Sequence, residues 1–409
     1  MDVRDSIKEI PLYQEILDAV DLGEGLESFP NLNKKVFIKN FPLNIMTPKL
    51  KQAMKDNGIE YNSTSGTSGE RLQIIRKIDW WEEEEQRIAP YTYLWGKHLQ
   101  DLVYSRAVLT TPMCSNTVCF LDNPPYESRI LGNKLYLNTS ASPDLWRRED
   151  VERIVREIDL FQPMHVHADP VYLALFMLKI NEYGLEFPQW KPNFLSLSFE
   201  FVPMSCRSFI QRYWDVPTFT LYGLTELGYL FCECENGKLH WCEPLNELHF
   251  SLLEGREGVY NLVVTSVKNE YMPFVRYETN DLFLICQEKE RTCSCSHPSK
   301  FFVEKALGRK SDITQGVDSQ LITLGEFDEM VSNLQTTVLL YQLDLSLSDS
   351  IIFRYMSCDF REISAPQKKA ILGLLEKLYG GARSIQVLRV ASMKPSPSGK
   401  FSLIKQEVV

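Results

Sequence analysis

The segment Ser63-Thr64-Ser65-Gly66-Thr67-Ser68-Gly69 is the most distinctive stretch of this chain. Its seven consecutive residues are all glycine or hydroxyl-bearing, although the 409-residue chain contains only 20 glycines. Glycines let backbone N–H groups turn toward an anion, and hydroxyls add further donors. The segment therefore predicts a loop that grips nucleotide phosphates, with a flexible surface turn as the alternative. The lysine-containing phosphate loop and the Rossmann glycine motif do not occur.

A second candidate segment is Leu221-Tyr222-Gly223-Leu224-Thr225-Glu226, in which an apolar strand runs into a tight turn. A carboxylate such as Glu226 is the kind of hard oxygen ligand that Mg²⁺ prefers. Tyr222 offers a ring on which a base can stack. The alternative is an ordinary junction between a strand and a helix.

Three further segments carry charged groups: Arg276–Asp281, Gly308–Asp312 and Pro395–Lys400. One carboxylate, here Asp281, is able to accept hydrogen bonds from both hydroxyls of a ribose. The last segment, Pro-Ser-Pro-Ser-Gly-Lys, predicts a rigid turn that carries a single lysine. Taken singly, such charges are most simply solvated surface groups.

In this order and spacing, the five segments resemble the motif set of the adenylate-forming (ANL) superfamily, which includes acyl-CoA synthetases and peptide-synthetase adenylation domains. The resemblance covers about residues 60–400. It extends to the phenylacetate–CoA ligase-like branch and its shorter homologues associated with capsule biosynthesis. The phosphate loop lacks a later lysine, Tyr277 directly follows Arg276, and Glu233-Cys234, His240 and Cys293-Ser294-Cys295 look like that branch's E-C…H…C-x-C arrangement.

The resemblance implies a role for each matching residue. The phosphate loop, comprising Thr64, Ser65, Gly66, Thr67, Ser68 and Gly69, would wrap the pyrophosphate of ATP. Tyr222 and Gly223 would line the adenine pocket opposite Glu200 and Phe201; Thr225 would touch the α-phosphate, Glu226 would hold Mg²⁺, Asp281 would bind the ribose, Arg309 would reach the ribose or phosphates, and Lys400 would lie between the substrate carboxylate and the α-phosphorus.

The chain departs from the family pattern at several places, two of which concern the ribose motif and the hinge. Asn280 replaces the glycine of the usual T-G-D, although Asp281 remains. Lys310-Ser311-Asp312 stands where the family often has two acidic residues and a glycine-rich turn. The second of these departures falls at the hinge, on which the second half-reaction depends in the family.

Alternation of apolar runs with amphipathic stretches predicts an α/β fold. We expect a large N-terminal ATP- and acid-binding domain with covered β-sheets, residues 1–307, and a small mobile α+β lid domain, residues 308–409. Predicted strands are Arg106–Thr110, Phe194–Leu197, Thr218–Leu221, Val259–Val264, Thr337–Leu343, Ile351–Arg354 and Ser384–Val390; predicted helices are Trp80–Trp95, Val151–Leu160, Val171–Asn181, Ser205–Tyr213 and Ser364–Leu378.

The composition of the chain argues against two classes of binding partner, nucleic acids and membranes. The formal net charge of −10 argues against nucleic acid and anionic membranes. No apolar stretch approaches the roughly 20 residues that span a bilayer, and the N-terminus lacks a long apolar region typical of secretory signals. A cytoplasmic protein is expected, so its ten cysteines are interpreted as thiols or metal ligands before disulfides.

Cys234, His240, Cys293 and Cys295 form a candidate Cys₃His set. Four such ligands suit tetrahedral Zn²⁺, and a site with no open position would be structural. Rival ligands are Cys232, Cys286 and His297. The alternative is a group of unligated thiols.

The acid-binding pocket is poorly specified by sequence. Trp80, Trp81, Tyr91, Tyr93 and Trp95 fall on the predicted helix after the phosphate loop, where core packing is the simpler interpretation. Glu82–Glu85 is interpreted as a solvated helix face, and His165 and His167 as core histidines. By resemblance, the substrate is a small aromatic or hydrophobic carboxylic acid.

Three functions remain open from sequence. The first is ATP- and Mg²⁺-dependent adenylation of the acid, then transfer to CoA or to the phosphopantetheine of a carrier protein. The second has an amine as acceptor, and the third is a non-catalytic nucleotide-binding homologue. Glu226, Asp281, Arg309 and Lys400 count against the third. A homodimer is common in the resembled branch.

Overall fold

The computed structural model describes residues 3–19, 26–64, 71–92, 94–98, 104–111, 124–137, 142–242, 245–286, 292–380 and 383–406. The chain divides into two compact units. The first unit comprises Met1–Leu99 and Leu221–Lys305, and the second comprises Gln100–Thr220 and Ala306–Val409. The predicted boundary between residues 307 and 308, and the mobility of the part that follows it, stay predictions.

The helices are α1 Val3–Ile7, α2 Pro11–Ala19, α3 Lys34–Ile38, α4 Pro48–Lys55, α5 Trp80–Ile88, α6 Trp95–His98, α7 Arg148–Phe161, α8 Pro170–Glu182, α9 Met204–Tyr213, α10 Leu324–Asn333 and α11 Ala365–Tyr379. The strands are β1 Ile59–Ser63, β2 Gln73–Lys77, β3 Arg106–Leu109, β4 Ile130–Leu131, β5 Lys134–Tyr136, β6 His165–Ala168, β7 Phe194–Leu197, β8 Thr218–Leu224, β9 Gly228–Glu233, β10 Leu239–Trp241, β11 Asn246–Leu252, β12 Val259–Ser266, β13 Phe274–Leu284, β14 Phe302–Val303, β15 Lys305–Arg309, β16 Thr314–Gln315, β17 Leu321–Ile322, β18 Val338–Asp344, β19 Ser350–Ser357, β20 Ser384–Arg389 and β21 Ile404–Lys405.

The first unit is built from antiparallel strands. β1 pairs with β2, and the second half of β8 pairs with β9, which continues through β10 to β14. β11, β12 and β13 form a further antiparallel sheet. Tyr277 and Asp281 both lie on the long strand β13. Their side chains take part in the site described below.

The second unit contains a parallel sheet in which β5, β3, β6, β7 and the first half of β8 are neighbours. Helix α8 is buried along nearly its whole length, which accounts for its continuous apolar sequence Val171–Leu178. Its apolar core is continuous with that of the chain after residue 306, where β20, β19, β18 and β21 form a second sheet. Because the carboxyl ends of parallel strands lie at one edge, the loops after β3, β6 and β7 are neighbours.

Most predicted elements agree with the structure to within a few residues. The predicted helix Trp80–Trp95 was wrong: α5 ends at Ile88, a 3₁₀ turn follows at Ala89–Tyr91, and Trp95 begins α6. Pro90 explains the break, because proline lacks the N–H that a continuing helix needs. Trp80 and Trp95 are nevertheless buried, as predicted. Among the described residues, no helix has the length and apolar character needed to span a bilayer.

Candidate active site

In the first unit, the structure brings together two segments that are distant in sequence. The hydroxyl of Tyr222 on β8 donates a hydrogen bond to Asp281 Oδ2 on β13 at 2.7 Å. The Tyr222 ring also packs edge-on against Phe283, with centroids 5.0 Å apart. Asp281 Oδ2 is thereby held in place while the carboxylate keeps further acceptor capacity, because an ionised carboxylate has about four lone-pair sites.

The turn after β8 holds Thr225 and Glu226. Glu226 is only 7% exposed, and its Oε1 accepts a hydrogen bond from the Tyr277 hydroxyl at 2.7 Å. Gly223 is required where β8 meets β9, since an added Cβ would approach the Gly228 carbonyl oxygen to 2.6 Å. The turn therefore presents a carboxylate whose orientation is fixed by a tyrosine on a different sheet.

Arg76 supports the same turn and was missed by the sequence analysis. Its guanidinium is buried, lies 4.6 Å from the Trp80 ring centroid and donates from Nη2 to the Thr225 carbonyl oxygen at 3.0 Å. Burial lowers the pKa of Arg76 to about 10, against the opposing influence of Glu60 and Glu226. The side chain stays charged at neutral pH, so it acts as a fixed cation behind the turn.

Glu84 contradicts the interpretation of Glu82–Glu85 as a solvated face. Its side chain is fully buried, and Oε1 accepts from Lys268 Nζ at 2.7 Å and from the Tyr229 amide at 2.9 Å. An added Cβ at Gly228 would collide with this carboxylate. Glu84 thus fixes the start of β9. The prediction of a solvated face was wrong for Glu84 because its partners are distant in sequence, whereas the prediction used only the local run of four acids.

In the second unit, Lys400 lies at the loop that follows β7. Its Nζ donates to the carbonyl oxygen of Phe199, whose φ of +78° places the backbone in the left-handed region. The amide of Phe401 donates to Glu200 Oε2 at 3.2 Å. The predicted lysine and the predicted Glu200 are therefore neighbours, although 200 residues separate them in the chain.

The buried Asp169 and the half-buried Glu200 are neighbouring carboxyl groups beside Lys400. Asp169 Oδ1 caps α8 by accepting from the amides of Val171 and Tyr172. Burial raises the pKa of both carboxyl groups, and the charge of Asp169 raises that of Glu200 further, whereas Lys400 acts in the opposite direction. Neighbouring carboxyl groups disfavour each other's ionisation, so each takes up a proton at a higher pH than an isolated, exposed carboxyl group does.

The structure shows fewer contacts for the remaining predicted residues. Thr64 Oγ1 accepts from the Leu72 amide at 3.0 Å, whereas Ser65, Gly66, Thr67, Ser68 and Gly69 lie outside the described residues. Arg309 ends β15, and its amide donates to Asp312 Oδ2 at 3.3 Å. Phe201 is half-buried and packs against the second unit's core. Tyr222, Thr225, Glu226 and Asp281 belong to the first unit, and Glu200, Arg309 and Lys400 to the second.

The predicted Cys₃His set is assembled in the first unit. The candidate ligand atoms of Cys234, His240, Cys293 and Cys295 all lie within 4.8 Å of one another. Cys234 Sγ is 3.8 Å from Cys293 Sγ, and Cys295 Sγ is 3.3 Å from His240 Nε2. Tetrahedral zinc with Zn–S bonds of about 2.3 Å sets sulfur atoms about 3.8 Å apart, so the donor set fits that ion.

The second coordination layer also fits. His240 Nδ1 lies 2.9 Å from the Ser299 carbonyl oxygen, which assigns the proton to Nδ1 and leaves the Nε2 lone pair for a metal. Of the rival ligands, His297 stacks on His240 with ring centroids 4.5 Å apart, and neither Cys232 nor Cys286 belongs to the cluster found among the described residues.

No protein-family model matches the chain, and no curated protein matches its sequence. Solved structures do match. A 2-hydroxyisobutyryl-CoA ligase in the postadenylation state, in complex with R3-HIB-AMP, has a TM-score of 0.73 and 12% identity, over 99% of this chain and 87% of that chain. The anthranilate CoA ligase AuaEII in complex with anthranoyl-AMP has a TM-score of 0.55 and 14% identity, over 84% and 65%.

An enzyme with a different acceptor also matches. The amide bond synthetase McbA from Marinactinospora thermotolerans has a TM-score of 0.55 and 12% identity, over 88% of this chain and 69% of that chain. At sequence identities this low, the structural match establishes the fold but does not establish the activity. The expected α/β architecture is confirmed: the chain has the fold that the adenylate-forming CoA ligases share.

Proposed function

We propose that this protein is an ATP-dependent ligase that adenylates a small carboxylic acid. A carboxylate oxygen of the substrate attacks the α-phosphorus of ATP, the bond from that phosphorus to the bridging oxygen breaks, and pyrophosphate leaves. The observation that carries the proposal is the hydrogen bond from Lys400 Nζ to the Phe199 carbonyl oxygen, because it holds the one lysine of the terminal turn next to Glu200, which the resemblance assigns to the adenine pocket.

The resemblance assigns further roles in the proposed reaction to residues of the first unit. Asp281, oriented by Tyr222, accepts the ribose hydroxyls. Thr225 donates to the α-phosphate, and Glu226 offers a carboxylate for Mg²⁺, which neutralises charge on the phosphates when bound. Charge that develops on the α-phosphate and on the leaving group is met by Lys400 and Arg309, which lowers the barrier.

The second step transfers the acyl group to a thiol of CoA or of carrier-protein phosphopantetheine. The thiol sulfur attacks the acyl carbon, the bond from that carbon to the AMP oxygen breaks, the thiol loses its proton and AMP leaves. Likeness in fold to two CoA ligases supports this acceptor. Likeness in fold to an amide bond synthetase supports a second candidate, in which an amine attacks instead.

The acid is proposed to be small and aromatic or otherwise hydrophobic, as in the phenylacetate–CoA ligase-like branch. A cytoplasmic location is proposed as well, because ATP and thiol acceptors are available there.

Zinc at Cys234, His240, Cys293 and Cys295 is proposed as a structural ion. The four ligands leave no open position, so the ion would tie the segment after β9 to the segment before β14 and would take no part in the chemistry.

Pyrophosphate release across a panel of acids, with CoA, carrier protein and amines offered separately, tests the proposal. Acid-dependent release that needs Mg²⁺ is expected, followed by product formation with one class of acceptor. Absence of acid-dependent release across the panel, with ATP binding intact, would identify a non-catalytic nucleotide-binding protein.

A further inference from the structure

The turn that carries Lys400 is held together internally. The Ser396 amide donates to the Lys400 carbonyl oxygen, and the Gly399 amide donates to the Ser396 carbonyl oxygen, both at 2.8 Å. The hydroxyls of Ser396 and Ser398 are also 2.8 Å apart. These bonds define the shape of the turn, but they do not determine where the turn lies. Its position must come from partners outside it.

Those partners lie at the carboxyl ends of β3, β6 and β7 in the second unit. Thr111, after β3, donates from Oγ1 to the Ser398 carbonyl oxygen at 3.3 Å. Tyr172, in the first turn of α8 after β6, donates to the Gly399 carbonyl oxygen at 2.8 Å. Glu200, after β7, accepts from the Phe401 amide. Residues after three neighbouring strands therefore bind Ser398, Gly399 and Phe401 of the same turn.

The fit around Gly399 is close. Its φ is +79°, and an added Cβ would collide with Thr111 Oγ1 and lie 3.3 Å from the Tyr172 hydroxyl oxygen. Glycine is therefore required here both for its backbone conformation and for the close approach. The Tyr172 ring also packs edge-on against Phe401, with centroids 6.0 Å apart.

The hydroxyl of Tyr172 has no evident role in helix α8 itself. Asp169 already caps that helix, and a phenylalanine ring would fill the same volume. A buried hydroxyl costs free energy unless it is hydrogen-bonded, and its donated bond goes to Gly399. Burial also raises the pKa of Tyr172, so the phenol keeps its proton and remains a donor at all physiological pH values.

We propose that Tyr172 is a positioning residue, which holds the Ser398–Phe401 turn on the loops after β3, β6 and β7 and so keeps Lys400 in place for adenylation. The role of Lys400 rests on the proposed function, whereas the contact between the two segments does not. The recognised group is a backbone carbonyl, so no side-chain motif around Gly399 would reveal it.

The test is Tyr172→Phe, which removes one oxygen and keeps the ring. Tyr183→Phe is the matched control, because Tyr183 lies at the opposite end of α8 and donates to the Trp146 carbonyl oxygen at 2.8 Å, far along the helix from the turn. Hydrogen exchange of the peptide covering residues 396–403 is followed without substrates. Adenylation is then measured as kcat and as KM for ATP.

Loss of one buried hydrogen bond predicts faster exchange of that peptide in Tyr172→Phe by about three- to tenfold, with no change in Tyr183→Phe. It also predicts a fall of similar size in kcat with an unchanged KM for ATP, because Lys400 acts on the reacting phosphate more than on ATP binding.

Unchanged hydrogen exchange in Tyr172→Phe would overturn the proposed contact, whatever the activity of the variant. Changed exchange with unchanged kcat in active enzyme would overturn the positioning role. A wild-type enzyme that releases no pyrophosphate would instead overturn the proposed function, and the exchange result would still decide the contact.

Discussion

Tyr222 and Asp281 are joined by a 2.7 Å hydrogen bond between the tyrosine hydroxyl and Oδ2. The bond connects β8 to β13, so the side chain proposed to stack on the base and the side chain proposed to bind the ribose hold each other in place. A ligand that contacts either residue meets a side chain whose orientation the other already restricts, which reduces the entropy lost on binding.

Tyr222→Phe tests this coupling. The ring remains available for the base, but the Asp281 carboxylate loses a partner and becomes less ordered. We expect KM for ATP to rise about fivefold while kcat changes little, since a single hydrogen bond contributes about 1 kcal/mol. Steady-state pyrophosphate release measures both. Tyr61→Phe, at an exposed tyrosine of β1, is the control, and equal effects in the two variants would contradict the coupling.

Arg76→Met is expected to destabilise the protein by about 2–4 kcal/mol, because it leaves the Thr225 carbonyl oxygen and Glu60 without a buried cationic partner. Adenylation should fall as well, since the Glu226 turn loses its support. Urea unfolding measures the free energy, and Arg71→Met, at an exposed arginine nearby, serves as control. A stability loss no larger than that of the control would show that Arg76 is not a structural support.

Protein purified without chelator should contain about one zinc ion per chain, bound by three thiolates and one imidazole. Cys295→Ser should lose most of the metal and lower Tm, because the two bridged segments would no longer be joined. Cys358→Ser, outside the cluster, should retain both metal and Tm. Metal analysis by mass spectrometry is the measurement, and metal-free wild-type protein of unchanged Tm would contradict a structural ion.

The buried histidines His165 and His167 predict loss of stability at mildly acidic pH. Ser196 Oγ lies 2.7 Å from His165 Nε2 and 3.0 Å from His167 Nδ1, and burial lowers the pKa of both rings well below 6.5. The unfolded chain therefore takes up protons first as pH falls through 6.5. Between pH 7.5 and 5.5 each ring should cost about 1.4 kcal/mol of unfolding free energy.

The Asp169–Glu200 pair acts with the opposite sign in this range, since raised carboxyl pKa values favour the folded state as pH falls. The histidine contribution is therefore isolated by comparing wild type with His167→Asn, which keeps a polar atom near the Nδ1 position. Urea unfolding at both pH values should show a pH-dependent loss smaller by about 1.4 kcal/mol in the variant. Parallel profiles would refute the assignment, and His98→Asn is the control.

Sequence predicted the local features of this fold well. Periodicity located α7, α8, α9 and α11 to within a few residues of their bounds in the structure. Motif order predicted the superfamily fold and the assembly of the Cys₃His set. These predictions succeed because apolar spacing, capping and ligand chemistry are local properties of the chain.

The residues that support the site from outside the sequence motifs could not be predicted in the same way. Glu84 lies within four consecutive acids, and only the fold brings Lys268 and the Tyr229 amide to it. Arg76 and Tyr172 both donate to backbone carbonyls, which have no sequence signature. Long-range partners of this kind decide burial and charge, and they become visible only when the strands are placed.

The central claim is that Lys400 acts in adenylation of a carboxylic acid by ATP. Acid-dependent exchange of labelled pyrophosphate into ATP, measured for wild type and Lys400→Ala beside direct ATP binding, tests it most directly. The account predicts exchange in the wild type that falls at least about a hundredfold in the variant, with ATP affinity changed little. Undiminished exchange in Lys400→Ala, or a wild type that binds ATP and supports no exchange with any acid, would contradict it.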